Sequence, residues 1–243
     1  VRNDPLRALA RAARRSFHRL RARGIPVVYD ARYQRGVFGV PMDPMRGEKV
    51  LGALEEAGLL GRDLLFEPRP ASLQNLLRVH TPEYLQAVQE PDALTRVLAV
   101  EVPPAEAEAT LDLQRLMTGG TIQATRLAMR TGGVAVALGG GFHHAMADAG
   151  LGFCVFNDVA VAIRRLRGRG FAEPVLVVDL DLHDGNGTRR LFADDPTVHT
   201  FSIHNDHWGD TEAVASTSIA LGPGVGDGRF LATLREELPP VFQ

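Results

Sequence analysis

Asp179, Asp181 and His183 stand at alternate positions at the end of an apolar run, Pro174-Val-Leu-Val-Val-Asp-Leu-Asp-Leu182. Side chains alternate along a strand, so these three share one side. Unpartnered carboxylates at the tip of so apolar a strand would cost on the order of several kcal/mol each. A bound cation removes that cost, and carboxylate with imidazole suits zinc, iron or manganese better than calcium or magnesium. Gly185-Asn186-Gly187 follows directly and lets the chain turn sharply against such a site. A second cluster, Gly139-Gly140-Gly141-Phe142-His143-His144, closes another apolar run. In a turn after three glycines, two adjacent histidines face one cavity and read as proton-handling groups. Asp179 would hold one imidazole charged, while the neutral Asn186 leaves the other neutral; this separates an acid from a base.

These clusters need a scaffold that brings strand ends together. A short apolar run over 26–30 reads as a buried strand, and a helix over 46–57 stops at Gly58. Thr81-Pro82-Glu83 opens another helix. Residues 91–104 carry three prolines and read as a surface loop. A long helix over 105–129 follows, with an interruption expected at Gly119-Gly120. Further strands are expected at 133–138, 174–182, 197–203 and 216–221, with helices capped by Asn157-Asp158 and over 229–238. Strands that alternate with helices and read as continuous apolar runs predict an α/β fold, with helices on both faces of a mostly parallel sheet. Ligands in such sheets bind beyond the carboxyl ends of the strands, where both clusters fall.

The chain has 243 residues, 45% hydrophobic and 23% charged, with a net charge of −2 and one cysteine. That composition excludes a disordered chain, a disulfide scaffold and a multi-cysteine zinc knuckle. The near-neutral balance argues against a nucleic-acid-coating protein. No apolar run approaches the roughly 20 residues of a membrane span, and a cytoplasmic location is expected. Lys49 is the only lysine among 27 basic residues. Residues 1–23 are arginine-dense and read as a solvated helical extension, with a transit peptide as the alternative. One domain is expected over 24–243.

Gly139-Gly-Gly-Phe-His-His-Ala145, Gly150-Leu-Gly-Phe-Cys-Val-Phe-Asn-Asp158 and Asp179-x-Asp-x-His-x-Gly-Asn-Gly-Thr188 resemble the signature blocks of zinc-dependent histone deacetylases. The same superfamily includes acetylpolyamine amidohydrolases and acetoin-utilisation proteins. Tyr29-Asp-Ala-Arg-Tyr33 and the non-histidine after His183 lean toward the class IV-like branch. The resemblance implies a three-layer α/β/α fold that hydrolyses an acyl-amide, with an acylated lysine or polyamine as substrate. It makes Asp181 and His183 zinc ligands, His143 and His144 the tandem catalytic histidines, and Asp179 and Asn186 their partners. Gly141, Gly152, Phe153 and Trp208 would line an acyl-lysine tunnel. Asp179, Ser202, Ile203 and the backbone oxygens of Asp181 and His183 would bind potassium.

Two parts of the family pattern have no counterpart before Gln243: a third zinc ligand, an aspartate on a later strand, and an oxyanion donor, a tyrosine in a Gly-Gly-Tyr loop. The resemblance therefore implies a chain truncated at its C-terminus. Its C-terminal strands would be missing, its activity slight or absent, and its exposed sheet edge open to self-association. Two alternatives stand beside the deacylase: an inactive remnant or acyl-lysine-binding module, and an arginase relative with two manganese ions.

Overall fold

The computed structural model describes residues 24–35 and 43–242; the basic N-terminal stretch lies outside them. Two parallel three-stranded ladders form the frame. In the first, β1 (Val27–Val28) lies between β2 (Leu65–Phe66) and β3 (Val136–Ala137). In the second, β5 (Val198–His204) lies between β4 (Val175–Asp179) and β6 (Ser216–Ala220). The flanking helices are α1 (Arg46–Glu56), α2 (Leu73–Leu76), α3 (Pro82–Ala87), α4 (Pro91–Leu98), α5 (Pro104–Thr131), α6 (Asp158–Arg167), α7 (Asn186–Leu191) and α8 (Asp227–Glu237). Parallel strands with flanking helices are the α/β class expected. The paired segments are shorter than the apolar runs, since β3 covers only two residues of 133–138 and β4 stops at Asp179.

Helix α5 packs on both β1 and α6, so it joins the first ladder to the helix that serves the site. Its glycines do not interrupt it. A Cβ at Gly119 would collide with the backbone carbonyl of Arg69, and one at Gly120 with the Tyr33 hydroxyl. The missing side chains allow close packing within a continuous helix. Residues 91–104 also depart from expectation. Pro91 is the first residue of α4, and Ala93, Leu94, Val97 and Leu98 are buried. Pro103 caps α5 and Pro104 is its first residue. These prolines start helices, because a first-turn residue has no intrahelical use for its N–H. Among the described residues, no helix is long and apolar enough to cross a membrane.

Candidate active site

The histidine loop follows β3 and is held from beneath by Asp158, the first residue of α6. Asp158 is 1% exposed and accepts the N–H groups of Gly141 (3.1 Å) and Phe142 (2.8 Å) and the Thr121 hydroxyl. Gly141 has φ 100°, a conformation that glycine alone adopts without strain. A Cβ at Gly140 would strike Asp158 and Thr121. Of the expected Asn157-Asp158 cap, Asn157 alone does the capping, accepting from the Ala160 N–H at 2.9 Å, and this frees Asp158 to reach back.

The second loop leaves β4 at Asp179 and bends instead of continuing as a strand. Asp179, Asp181 and His183 all line the cleft, as does Leu180, while Leu182 turns outward, 63% exposed. Asp179 Oδ1 accepts the Asp181 N–H at 3.1 Å, and Asp181 Oδ2 lies 3.2 Å from His183 Nδ1. A Cβ at Gly187 would sit 2.6 Å from the carbonyl oxygens of His143 and Ala145. Its absence lets α7 begin against the histidine loop, where the Thr188 N–H donates to the His143 carbonyl at 3.0 Å.

The two histidines lie 4.2 Å apart, centroid to centroid, and have different partners. His143 Nδ1 is 2.6 Å from Asp179 Oδ2, and His144 Nδ1 is 2.7 Å from Asn186 Oδ1. The Asn186 amide nitrogen donates to the Trp208 carbonyl, so its oxygen must accept. His144 Nδ1 therefore carries the proton, which leaves its Nε2 lone pair free. Burial disfavours charge on both rings. For His143, Asp179 and the more distant Asp181 and Asp184 outweigh it, and the pKa is raised. For His144, burial is reinforced by the neighbouring His143 and His183, and the pKa is lowered.

A cleft of about 550 Å³ receives both loops, with Gly141, Gly152, Phe153 and Trp208 among its walls. Gly152 and Phe153 have φ of 55° and 68°. The Phe153 backbone is strained there, and its N–H is tied to the Val97 carbonyl at 3.1 Å. Trp208 lies flat on the His144 ring, with centroids 4.4 Å apart and planes within 6°. Cys154 is buried, and burial pushes its thiol up to about 12, so it packs as a small apolar residue. Glu101 lines a different cleft, beside Arg32 and Arg115.

Asp181 and His183 offer one oxygen and one nitrogen donor of the kinds zinc takes, 3.2 Å apart at Asp181 Oδ2 and His183 Nδ1. Among the described residues, one group of three such donors lies close together: Asp184, His204 and His207. Its carboxylate is already taken, because Arg189 donates to both oxygens of Asp184 at 2.6 and 2.7 Å. Ser202, the β5 register partner of Asp179, and Ile203 are both buried beneath the second loop. Asp158, Asp184 and Arg189 were missed by the sequence reading. The signal for Asp158 was a second cap-type residue beside Asn157; Asp184 and Arg189 carried none.

The profile of the histone deacetylase domain matches residues 40–243. An uncharacterised protein of Picosynechococcus sp. is 35% identical over 88% of this chain and 72% of its own length. Histone deacetylase 2 of Arabidopsis thaliana is 32% identical over 74% of this chain and 49% of its own. Human polyamine deacetylase HDAC10 is 34% identical over 75% of this chain, which spans 29% of the human protein. Among solved structures, a deacetylase homologue from Aquifex aeolicus and a deacetylase homologue complexed with SAHA each superpose with a TM-score of 0.71 at 24% identity. The Aquifex match covers 90% of this chain and 65% of the Aquifex chain.

Proposed function

The chain belongs to the histone deacetylase family, and from that membership we propose that it hydrolyses an acyl-amide, the substrate being an acetyl-lysine or another acylated amine such as a polyamine. One observation carries the reading: two adjacent histidines share a cleft with Asp181 and His183, one backed by a carboxylate and the other by a carboxamide. Asp181 and His183 would hold a zinc ion, which supplies Lewis-acid polarisation of the amide carbonyl and a water acidified toward a pKa of about 7. His144 Nε2 takes the proton from the attacking water. His143, kept cationic by Asp179, gives a proton to the leaving amine. Gly141, Gly152, Phe153 and Trp208 enclose the acyl-bearing chain. Asp179, Ser202 and the carbonyls of Asp181, His183 and Ile203 would hold a potassium ion behind the two loops. Neither nucleic acid nor membrane has a part in this reaction, and the cytoplasm is its proposed location.

A second reading rests on the count of donors. Among the described residues, no third His, Cys, Asp or Glu joins Asp181 and His183 in a close group, and catalytic zinc sites use three. On that reading the chain binds acyl-lysine without turning it over. One experiment separates the two. The chain is given zinc, then an acetyl-lysine peptide or an N-acetylated diamine, and acetate release and SAHA binding are measured. Release that falls at least about 100-fold in His144→Ala supports hydrolysis. Binding without release selects the second reading. Neither binding nor release overturns both.

A further inference from the structure

We propose that the buried Asp184–Arg189 pair is a positioning device that sets the Trp208 wall against His144; this rests on the reading of the cleft as a deacylase site. Asp184 and Arg189 are 0% and 2% exposed at their side chains. Arg189 uses all five of its N–H donors. Nη1 and Nη2 bind the two Asp184 oxygens at 2.6 and 2.7 Å. The remaining donors reach the Ser218 hydroxyl at 3.0 Å and the Asp210 carbonyl, at 3.1 Å from Nη2 and 3.2 Å from Nε. Asp184 Oδ2 also accepts the Trp208 N–H at 3.1 Å, while the Asn186 amide donates to the Trp208 carbonyl at 2.9 Å. Both backbone polar groups of Trp208 are thus held by side chains of the second loop and α7.

The loop needs these bonds. Residues 206–213 lie between β5 and β6 without helix or strand, and none of them makes a backbone–backbone hydrogen bond in the described structure. The backbone anchors stand outside it, at Asn205 and Val214. Inside it, Asp184, Arg189 and Asn186 supply the tertiary ties to the Trp208 and Asp210 backbone. The geometry needs a planar five-donor fork, which a lysine ammonium does not provide. The device therefore acts on the reaction through the indole, which lies flat on His144 and edge-on to His183 at 5.0 Å.

Trp208 is the only tryptophan of the chain, so its fluorescence reads the device without need of turnover or metal. Acrylamide quenching and emission maximum are measured for the wild type, Arg189→Met, Arg189→Lys and the double variant Asp184→Asn/Arg189→Met. The double variant removes both charges and so leaves no unpaired buried carboxylate. Circular dichroism identifies which variants are folded. In folded variants the quenching constant is expected to rise at least about twofold, with a red-shifted maximum, as local restraint is lost. Lysine should not restore the wild-type values, and the double variant should equal Arg189→Met. SAHA affinity should fall in step with the spectral change. Unchanged quenching in the folded double variant overturns the proposal. If the wild type neither binds SAHA nor releases acetate while quenching still responds, the deacylase reading fails and the positioning of Trp208 stands.

Discussion

His143 and His144 differ in what stands behind each ring, a carboxylate for one and a carboxamide for the other. Asn186→Asp would give His144 a carboxylate partner and raise its proton affinity. The base must then be freed at higher pH, so the acid limb of kcat/KM should move up by about one unit in a pH–rate profile. Asp179→Asn should act in the opposite sense on His143, drawing the limb that needs a cation down to lower pH. The convergence of His143, His144 and Asp179 was legible in the sequence from spacing, alternate positions on one strand and adjacent positions after three glycines, while the pairing of Asn186 with His144 was implied only by the family resemblance. Arg189 was not legible. It sits in a Thr-Arg-Arg run beside Arg190, and only tertiary burial separates the two, with Arg189 2% exposed and Arg190 on the surface.

Among the elements, the sequence located every strand but β2, and it read Pro82 and Gly58 correctly, while the punctuation at Pro91, Pro103 and Gly119 was misread. A proline can end a segment or start a helix, and the choice at Pro91 depends on whether the next turns find apolar partners, as Leu94 and Leu98 do. Gly119 was read as a break because local propensity disfavours glycine in helices; the close approach of Arg69 is invisible without the fold. Gly119→Ala should therefore destabilise the chain by about 1–3 kcal/mol, read as a lowered midpoint in urea. His80 ties two other elements together. Its Nδ1 faces the Met146 carbonyl at 2.9 Å, and its Nε2 accepts the Asn157 N–H at the start of α6. Burial pushes its pKa down to about 4, below the usual value near 6.5. The unfolded chain therefore takes up a proton first, and stability falls as pH drops from about 6.5 toward 4, by about 3 kcal/mol at the end of that window. Urea midpoints from pH 8 to 4 should show this slope, and His80→Gln should flatten it.

Across the whole molecule, apolar side chains stand exposed beside the edge strand of the second ladder. Val178, Leu180 and Leu182 are 40%, 45% and 63% exposed along and beyond β4, and α8 contributes no buried residue. Such apolar surface beside an edge strand favours association. Sedimentation should give an apparent mass that rises with concentration, and Leu182→Lys should reduce the rise. The site itself spans the seam between the ladders. The histidine loop descends from β3, while Asp179 ends β4 and Asn186 opens the helix that follows it. Neither half carries a complete histidine–partner pair, since both rings stand on the histidine loop and both partners on the other segment, so the tuning of the two histidines exists only in the docked state. In a urea titration, SAHA binding should vanish at a lower denaturant concentration than far-ultraviolet dichroism, because separating the halves abolishes the pair before either ladder melts.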